Sequence, residues 1–488
     1  MIAFLFDADL DSGLGHFNRC QNLAKIFLKN NHKCLFIVFK DNEYKFPKVN
    51  NLIKKYFLNY SDKTLNKVKK ILSTQKIKKL VIDTYRIKKD IPNFKGIEVV
   101  HISDFYQKKT NANITINPGL IDLEYLKKIK SRYSESYYGS KYSLVDRNFL
   151  KFRKKSLNEK FILKNNVLIF FGAFKESVAY LSKFLKILNN SIFRKFNFTV
   201  IFGSKTLYKD FFKNSEAKFS KNFHFISHTK KIYKYIYENN FIISGCGLIN
   251  HEKICIGKNS ISLIFAKNQK ESVKYFKNKI FFKSIRYNIF LKKNASDIES
   301  IISKGLKVHD KNIFSINDGL GAKRIYRLIQ KKEGLKLKIR KSNIKDKFIY
   351  FNWVNDLLVR KNSIKSSNIK FQEHDNWYEK KLKDSSNYFF LCYDENKLPL
   401  GQIRYDFDKK NKKYFIDISV DECARNLGLG SYLISETLKK INKKIKLNKL
   451  FSTIKNTNKK SQAIFIKNNF KEIKKNKKMT TFKYSHEQ

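Results

Sequence analysis

Short apolar, β-rich runs alternate with amphipathic helical stretches over the first two-thirds of this chain, and no other feature constrains the fold as much. IAFLF, KCLFIVF, KLVIDT, GIEVVHIS and NITIN are such runs, and helical segments such as HFNRCQNLAKIFLKN lie between some of them. Strands buried on both faces read as continuous apolar stretches, and their alternation with helices is the pattern of a parallel sheet covered on both sides. The pattern breaks near SRYSESYYGSKYSLVDRNFLKF. It restarts with NVLIFFGAF, NFTVIFG, NFHFIS, NFIISGCG and SISLIFA, and closes on DGLGAKRIYRLIQKKEG. The expected fold is therefore α/β, with two doubly wound Rossmann-like lobes at 1–155 and 156–333 and a hinge near 148–165. Ligands of such sheets bind outside the carboxyl ends of the strands, which here means the cleft between the lobes.

A third unit, expected at 334–488, has a different grammar. LKLKIRKSNIK reads as a strand and KDKFIYFNWVNDLLVRKN as a helix. NYFFLCYDENKLPLGQIRYDFDKKNKKYFIDISV reads as antiparallel strands joined by turns, and RNLGLGSYLISETLKKIN as a loop and helix. That is an α+β unit. Both tryptophans, Trp353 and Trp377, fall in it.

Composition excludes several classes. No apolar run approaches the ~18 residues of a membrane helix, and IAFLF meets Asp7 and Asp9 too soon for a signal peptide. The expected compartment is the cytoplasm, with no membrane partner. The six cysteines form no CxxC pair and none sits beside a histidine at zinc spacing, so no metal is expected. The net charge of +60 raises nucleic acid as a partner. Yet the lysines run along the whole chain, and Asn, Ile, Phe and Tyr are abundant while Pro (4) and Gly (17) are scarce. That is a chain-wide compositional bias rather than a basic patch. The expectation is no nucleic-acid partner, with a charge that favours small anionic ligands such as nucleotide diphosphates.

One chemistry-bearing stretch is DADLDSGLGHFNRCQNLAKIF, residues 7–27. Gly13 and Gly15 let the backbone turn sharply and approach a ligand. The helix that follows offers unpaired N–H groups to an anion. His16 stands at its mouth, and Arg19 follows one turn on along the same face. A histidine there can move a proton near neutral pH. Equally, Gly-x-Gly-His can be a tight turn that the histidine merely caps, and the residues alone leave both readings open.

DSGLGHFNRCQNLA closely resembles the opening motif of the UDP-sugar hydrolases of pseudaminic acid biosynthesis. The likeness continues in order through LVIDTY, ISDF, INPG, YYGSKYSLVDRNF, IFFGAF, ISGCGLINHEKICIGKNSISLIFAKNQ and DGLGAKRI, and several ordered motifs are more specific than one. It implies a two-lobed glycosyltransferase-like (GT-B) fold. It also implies hydrolysis of UDP from UDP-2,4-diacetamido-2,4,6-trideoxy-β-L-altropyranose. His16 then matches the family's proposed catalytic base. Gly15, Arg19, Asp83, Tyr85, Arg147 and Gly172 fall at matching substrate-side positions, with Asp83 readable equally as a cap after its strand. In GCGLINHE, Gly247 and Leu248 belong to a phosphate-cradling loop, Glu252 matches the ribose-binding glutamate, and Asn268 and Gln269 match a motif near the cleft. FFGAFKES departs from the family's Gly-Gly pattern. His251 has no counterpart role and reads as a surface histidine.

DISVDECARNLGLGSYLISETL resembles motif A of the GNAT acetyltransferase superfamily. The resemblance implies that Arg425, Asn426, Gly428, Leu429, Gly430 and Ser431 hold the pyrophosphate of acetyl-CoA through a loop and helix start. IKNTNKKSQAIFIKNNF supplies Asn458 as a further cofactor contact, but Phe465 stands where many members carry a tyrosine that reprotonates the CoA thiolate. FNWVNDLLVRKNS, EHDNWY and LGQIRYD resemble enzymes that acetylate the 4-amino group of nucleotide-linked sugars, with Asn355, Arg360, His374 and Trp377 on the acceptor side. Trp353 reads as a core aromatic. Together the resemblances imply a bifunctional enzyme with a UDP-linked amino sugar and acetyl-CoA as ligands. The rivals are a UDP-sugar glycosyltransferase, a hydrolase of a related nonulosonic acid pathway, and a basic nucleic-acid-binding protein.

Overall fold

A computed structural model describes residues 1–9, 14–40, 46–61, 63–87, 91–104, 111–120, 136–174, 176–213, 218–265 and 282–485. The chain divides into two compact units, Met1–Ala322 and Lys323–Gln488. It is a mixed α/β protein with parallel sheets followed by an antiparallel-rich domain.

The first unit holds two sheets. One contains β1 (Ile2–Asp7), β2 (Cys34–Phe39), β3 (Ile53–Leu58), β4 (Lys79–Asp83), β5 (Glu98–Ile102), β6 (Ile114–Asn117) and β7 (Ser136–Tyr138) in the order β3-β2-β1-β4-β5-β6-β7. Every pairing is parallel. β1 and β2 are buried along their whole length, which explains their unbroken apolar sequences. β3, an edge strand, is mostly solvent-facing and lysine-bearing, so its sequence carries little of that signal.

The second sheet contains β8 (Asn166–Phe170), β9 (Asn197–Ile201), β10 (Phe223–Ile226), β11 (Phe241–Gly245), β12 (Asn259–Ile264) and β13 (Phe282–Arg286), ordered β10-β9-β8-β11-β12-β13 and again parallel. Both orders reverse direction once, between β1 and β4 and between β8 and β11. Loops leaving the strands on either side of such a point diverge and leave a crevice. The stretch expected as a hinge is largely the helix Arg147–Asn158, N-capped by Asp146. Its Phe149 packs with Leu168, Ile236, Ile242 and Cys255 in the core of the second sheet.

The second unit is built on β14 (Lys338–Lys341), β15 (Tyr388–Tyr393), β16 (Pro399–Asp408), β17 (Lys413–Val420), β18 (Leu450–Lys455), β19 (Phe470–Lys475) and β20 (Met479–Tyr484). Their order is β14-β15-β16-β17-β18-β20-β19. All neighbours are antiparallel except β17 and β18, which pair in parallel at only Tyr414↔Leu450 and Phe415↔Phe451. The expected helix KDKFIYFNWVNDLLVRKN is two, Lys347–Val354 and Leu357–Asn362. Asp356 breaks it, because its carboxylate caps the second helix by accepting from the backbone N–H groups of Leu358 and Val359. The helix Gly321–Gln330, read from sequence as the close of the second lobe, lies mostly in this unit. There Arg327 is fully buried against Asp394 and Glu395.

Candidate functional site

The first crevice is built from the ends of β1, β4 and β5. The helix Gly15–Lys29 buries Phe17, Cys20, Leu23, Ala24 and Phe27 against the sheet. The same face places His16 and Arg19 almost out of solvent, 3% and 8% exposed. Asp83 ends β4 and is buried beneath them. His16 Nδ1 is 2.6 Å from Asp83 Oδ1. Arg19 grips the same carboxylate with Nε to Oδ2 at 2.9 Å and Nη2 to Oδ1 at 2.6 Å. Arg19 Nη1 donates to Asp104 Oδ1 at 2.7 Å, just beyond β5. Tyr85 OH donates to Asp104 Oδ2 at 2.5 Å, and its ring stands edge-on to His16 with centroids 4.4 Å apart.

These contacts fix protons. An Asp83 carboxylate already holding a guanidinium is an acceptor, so His16 Nδ1 carries the hydrogen. The 2.9 Å approach of Arg19 Nη2 to Nδ1 is then two donors converging on one oxygen. In the neutral ring the lone pair is then on Nε2, the arrangement of a general base oriented by a carboxylate. Burial opposes ionisation of Asp104, but the Arg19 guanidinium overrides it and holds the carboxyl at about 2. Burial and the neighbouring Asp104 push the Tyr85 phenol well up, so it stays protonated. Behind them Asp7, its carboxyl raised by burial, accepts from Thr84 Oγ1 and from the Tyr85 backbone N–H at 2.9 Å and shapes the β4 loop.

The second crevice carries the glycines. Gly172 follows β8 at φ +113°, and Gly245 ends β11 so close to Phe171 that a Cβ would lie 2.6 Å from its carbonyl oxygen. Among the described residues nothing lies within 4 Å of where a Gly247 Cβ would be. Leu248 occupies the N-cap position of the helix Ile249–Ile256 without a side-chain cap bond, and the first-turn N–H groups of Asn250 and His251 donate to the Gly247 and Leu248 carbonyls at 3.0 Å each. Lys253, fully buried, braces the loop from below by donating to Ser244 Oγ at 2.7 Å and Ser262 Oγ at 3.1 Å. Burial lowers its ammonium to about 7, and burial together with Asp146 raises Glu252 to about 8.

The sequence reading quoted Asp104 within ISDF without giving it a site role, and it misplaced His251. Asp104 belongs to the first cluster. Its signal was present, since it follows an apolar strand as Asp7 and Asp83 end theirs. His251 is not a surface residue but is partly buried, with Nδ1 3.1 Å from Ser140 Oγ. Burial lowers it to about 4, and Asp104 and Arg19 are close enough to act on it. Gly15 is the first residue of its helix, and Arg147 is exposed at the start of its own. Asn268 and Gln269 lie outside the described residues.

In the second unit the loop after β17 is tied at both ends. Asp421 Oδ2 accepts from Trp353 Nε1 at 3.0 Å, and Arg425 Nη2 donates to Asp356 Oδ1 at 2.6 Å. Just beyond Arg425, Asn426 and Gly428 adopt left-handed backbone, φ +64° and +86°, which turns the chain into the helix Leu429–Ile441. A Cβ at Gly428 would meet nothing within 4 Å among the described residues. No acidic residue or side-chain cap stands at this helix start. An open glycine cradle facing uncapped N–H groups fits a pyrophosphate. Leu429 and Gly430 are buried, so they offer backbone only, and Ser431 is half-buried on the first turn. Asn458 instead caps the helix Lys459–Lys467, accepting from Ser461 N.

Three expected acceptor-side residues serve the scaffold. His374 is 2% exposed among Phe351, Trp377 and Tyr378, with Nε2 3.1 Å from the Lys347 carbonyl oxygen. An aromatic-rich helix face simply buries it. Arg360 is spent on the Lys365 and Ser367 carbonyls and Ser363 Oγ, which close the following loop. Asn355 clamps Ile369 through both its amide atoms. Among the described residues no group of three or more His, Cys, Asp or Glu side chains could hold a metal ion. No helix there is long and apolar enough to cross a membrane.

Residues 354–470 match the acetyltransferase (GNAT) family, so the second unit carries a GNAT acetyltransferase domain. No curated protein matches the chain. Among solved structures, spermidine N-acetyltransferase from Vibrio cholerae in complex with CoA and spermine is similar at 16% identity and TM-score 0.28, over 30% of this chain and 93% of that one. A putative phosphinothricin N-acetyltransferase aligns at 21% identity and TM-score 0.27, over 31% and 100%. A GNAT acetyltransferase from Streptococcus pneumoniae aligns at 19% identity and TM-score 0.25, over 30% and 98%.

Proposed function

We propose that the chain is a bifunctional sugar-nucleotide enzyme. Its GNAT domain transfers acetyl from acetyl-CoA to the 4-amino group of a UDP-linked amino sugar, UDP-4-amino-4,6-dideoxy-N-acetyl-β-L-altrosamine. Its first unit, read as a GT-B pair of lobes, hydrolyses the product to UDP and free 2,4-diacetamido-2,4,6-trideoxy-altrose. The observation that carries the hydrolytic half is the convergence of His16, Arg19, Asp83, Tyr85 and Asp104 at one strand-order reversal.

In this reading His16 Nε2 takes a proton from water as the water attacks the anomeric carbon, and the C–O bond to the diphosphate breaks. Asp83 holds the imidazole in the working tautomer and stabilises its protonated form. Uridine diphosphate is a good leaving group, so a second carboxylic acid of the usual glycosidase pair is not required. Gly172, Gly245, Gly247 and the helix start at Leu248 receive the diphosphate, with Glu252 toward the ribose. In the GNAT domain Asn426 to Ser431 hold the pyrophosphate of acetyl-CoA, which supplies the thioester. UDP release from the diacetamido sugar, with and without an acceptor alcohol, tests the hydrolase. A product joined to the acceptor would make the first unit a glycosyltransferase.

A further inference from the structure

The helix Ile249–Ile256 spends its first donors on its own turn. The backbone N–H groups of Asn250 and His251 donate to the Gly247 and Leu248 carbonyls, and that of Glu252 to Leu248 at 3.4 Å. A diphosphate brought to this loop therefore gains from a side-chain donor. His251 supplies one in the same turn, and no step of the proposed hydrolysis uses it. Its ring reaches across to the first sheet. Nδ1 is 3.1 Å from Oγ of Ser140, which opens the short helical turn Ser140–Tyr142 that follows β7. The backbone beneath the ring is fixed as well, because Asn317 Nδ2 donates to the His251 carbonyl at 3.1 Å and to Ser143 Oγ at 2.8 Å. The ring thus has the glycine loop on its own helix and, within electrostatic reach, Asp104 and Arg19 of the His16 cluster. Burial lowers it to about 4 against the pull of Asp104, so the imidazole is neutral at pH 7. A neutral imidazole carries one N–H donor. With the Ser140 hydroxyl donating to Nδ1, that hydrogen is on Nε2, the nitrogen that does not face Ser140.

We propose that His251 Nε2–H is the donor that meets the charge developing on the departing diphosphate, while His16 serves the attacking water. The proposal rests on the hydrolase reading of the first unit. Water forms the new C–O bond to the anomeric carbon, and its proton goes to His16 Nε2. The bond from that carbon to the diphosphate oxygen breaks with its electron pair on the oxygen. His251 donates a hydrogen bond to that oxygen and keeps its proton, as a neutral imidazole used as an electrophile does. UDP leaves ionised, and the proton on His16 passes to solvent. A donor aimed where charge appears in the transition state is worth more there than in the ground state. Ser140 is a positioning residue in this scheme, because its hydroxyl sets the ring's tautomer.

The test compares wild type, His251→Ala, His251→Gln and Ser140→Ala in the full chain. Steady-state assays follow UDP release from UDP-2,4-diacetamido-2,4,6-trideoxy-β-L-altropyranose, and calorimetry measures the binding of UDP and of uridine. His251→Ala is expected to lower kcat about 10²-fold and to weaken UDP about tenfold, with uridine bound as by wild type. His251→Gln keeps an N–H donor and should recover about tenfold of the lost rate. Ser140→Ala should lower kcat about fivefold, the worth of one neutral hydrogen bond, and leave uridine binding unchanged. An active wild type whose His251→Ala variant stays within about threefold in kcat overturns the assignment of His251 and leaves the hydrolase reading standing. Equal loss of uridine and UDP binding in His251→Ala, with no recovery in His251→Gln, makes His251 structural and also overturns it. A wild type that releases no UDP overturns the hydrolase reading and this proposal with it.

Discussion

Replacing Asp83 by Asn is the sharpest internal test of the first crevice, because it removes a charge and keeps the shape. Asp83 accepts three bonds from charged or ring N–H donors at 2.6, 2.6 and 2.9 Å. An amide has one oxygen and one NH2, so at least one of those donors must face another donor. If the NH2 turns to His16, Nδ1 becomes the acceptor, the hydrogen moves to Nε2, and the base is lost. If it turns to Arg19, a guanidinium 8% exposed loses one of its two carboxylates. Removing one partner of a buried pair costs about 3–5 kcal/mol, and Asp104 at 2.7 Å holds the loss toward the lower end. A general base contributes about 10²–10⁴-fold, so kcat for UDP release should fall by at least about 10²-fold, or roughly 2.7 kcal/mol of activation free energy. UDP affinity, which the proposed function assigns to the second crevice, should stay within about twofold. Steady-state UDP release and UDP calorimetry make the measurement, with circular dichroism to show an intact fold. A variant that keeps kcat within about threefold while folded would refute the dyad. Equal loss of UDP binding would show that Asp83 holds the unit together and does not orient a base.

Further expectations concern both units. His374 is buried with its pKa lowered from 6.5 to about 4, so the unfolded chain binds the extra proton between those values. Stability of the second unit should therefore drop as pH falls from 6.5 to 4, by about 3 kcal/mol. His374→Phe should flatten that slope in urea titrations followed by the fluorescence of Trp353 and Trp377, and an unchanged slope would count against the burial argument. Gly428 at φ +86° should tolerate Ala in the fold at about 1–2 kcal/mol but lose about tenfold in acetyl-CoA affinity by calorimetry. Lys253 is charged in the unfolded chain up to about 10.5 but only to about 7 when folded. First-unit stability should thus rise with pH across that window, and Lys253→Met should remove the rise in thermal melts followed by circular dichroism. A melt that keeps the pH dependence would place the titration elsewhere.

What the sequence disclosed follows from how each feature is encoded. The strands buried on both faces were legible as apolar runs, whereas β3 was not, because an edge strand with Lys54 and Lys55 facing water has no such run. The glycine loops and His16 were legible because turns and helix starts demand particular residue types. Asp104 and His251 were harder, since each acquires its meaning only from a partner far away in the chain: Arg19 and Ser140. His374 misled for the converse reason. The resemblance of EHDNWY put it on the acceptor side, yet the helix Phe371–Lys383 turns it inward, where one backbone carbonyl satisfies it. The helix break at Asp356 was written in the sequence as an acidic cap inside an apolar stretch.

The central claim is that the first unit is a UDP-sugar hydrolase with His16 as its base. The most direct measurement follows UDP release from UDP-2,4-diacetamido-2,4,6-trideoxy-β-L-altropyranose by wild type and His16→Ala, without acetyl-CoA. Wild type should release UDP and free sugar in equal amounts, and His16→Ala should bind UDP normally but release it at least about 10²-fold more slowly. A wild type inert toward this sugar, or a His16→Ala variant as fast as wild type, would contradict the account.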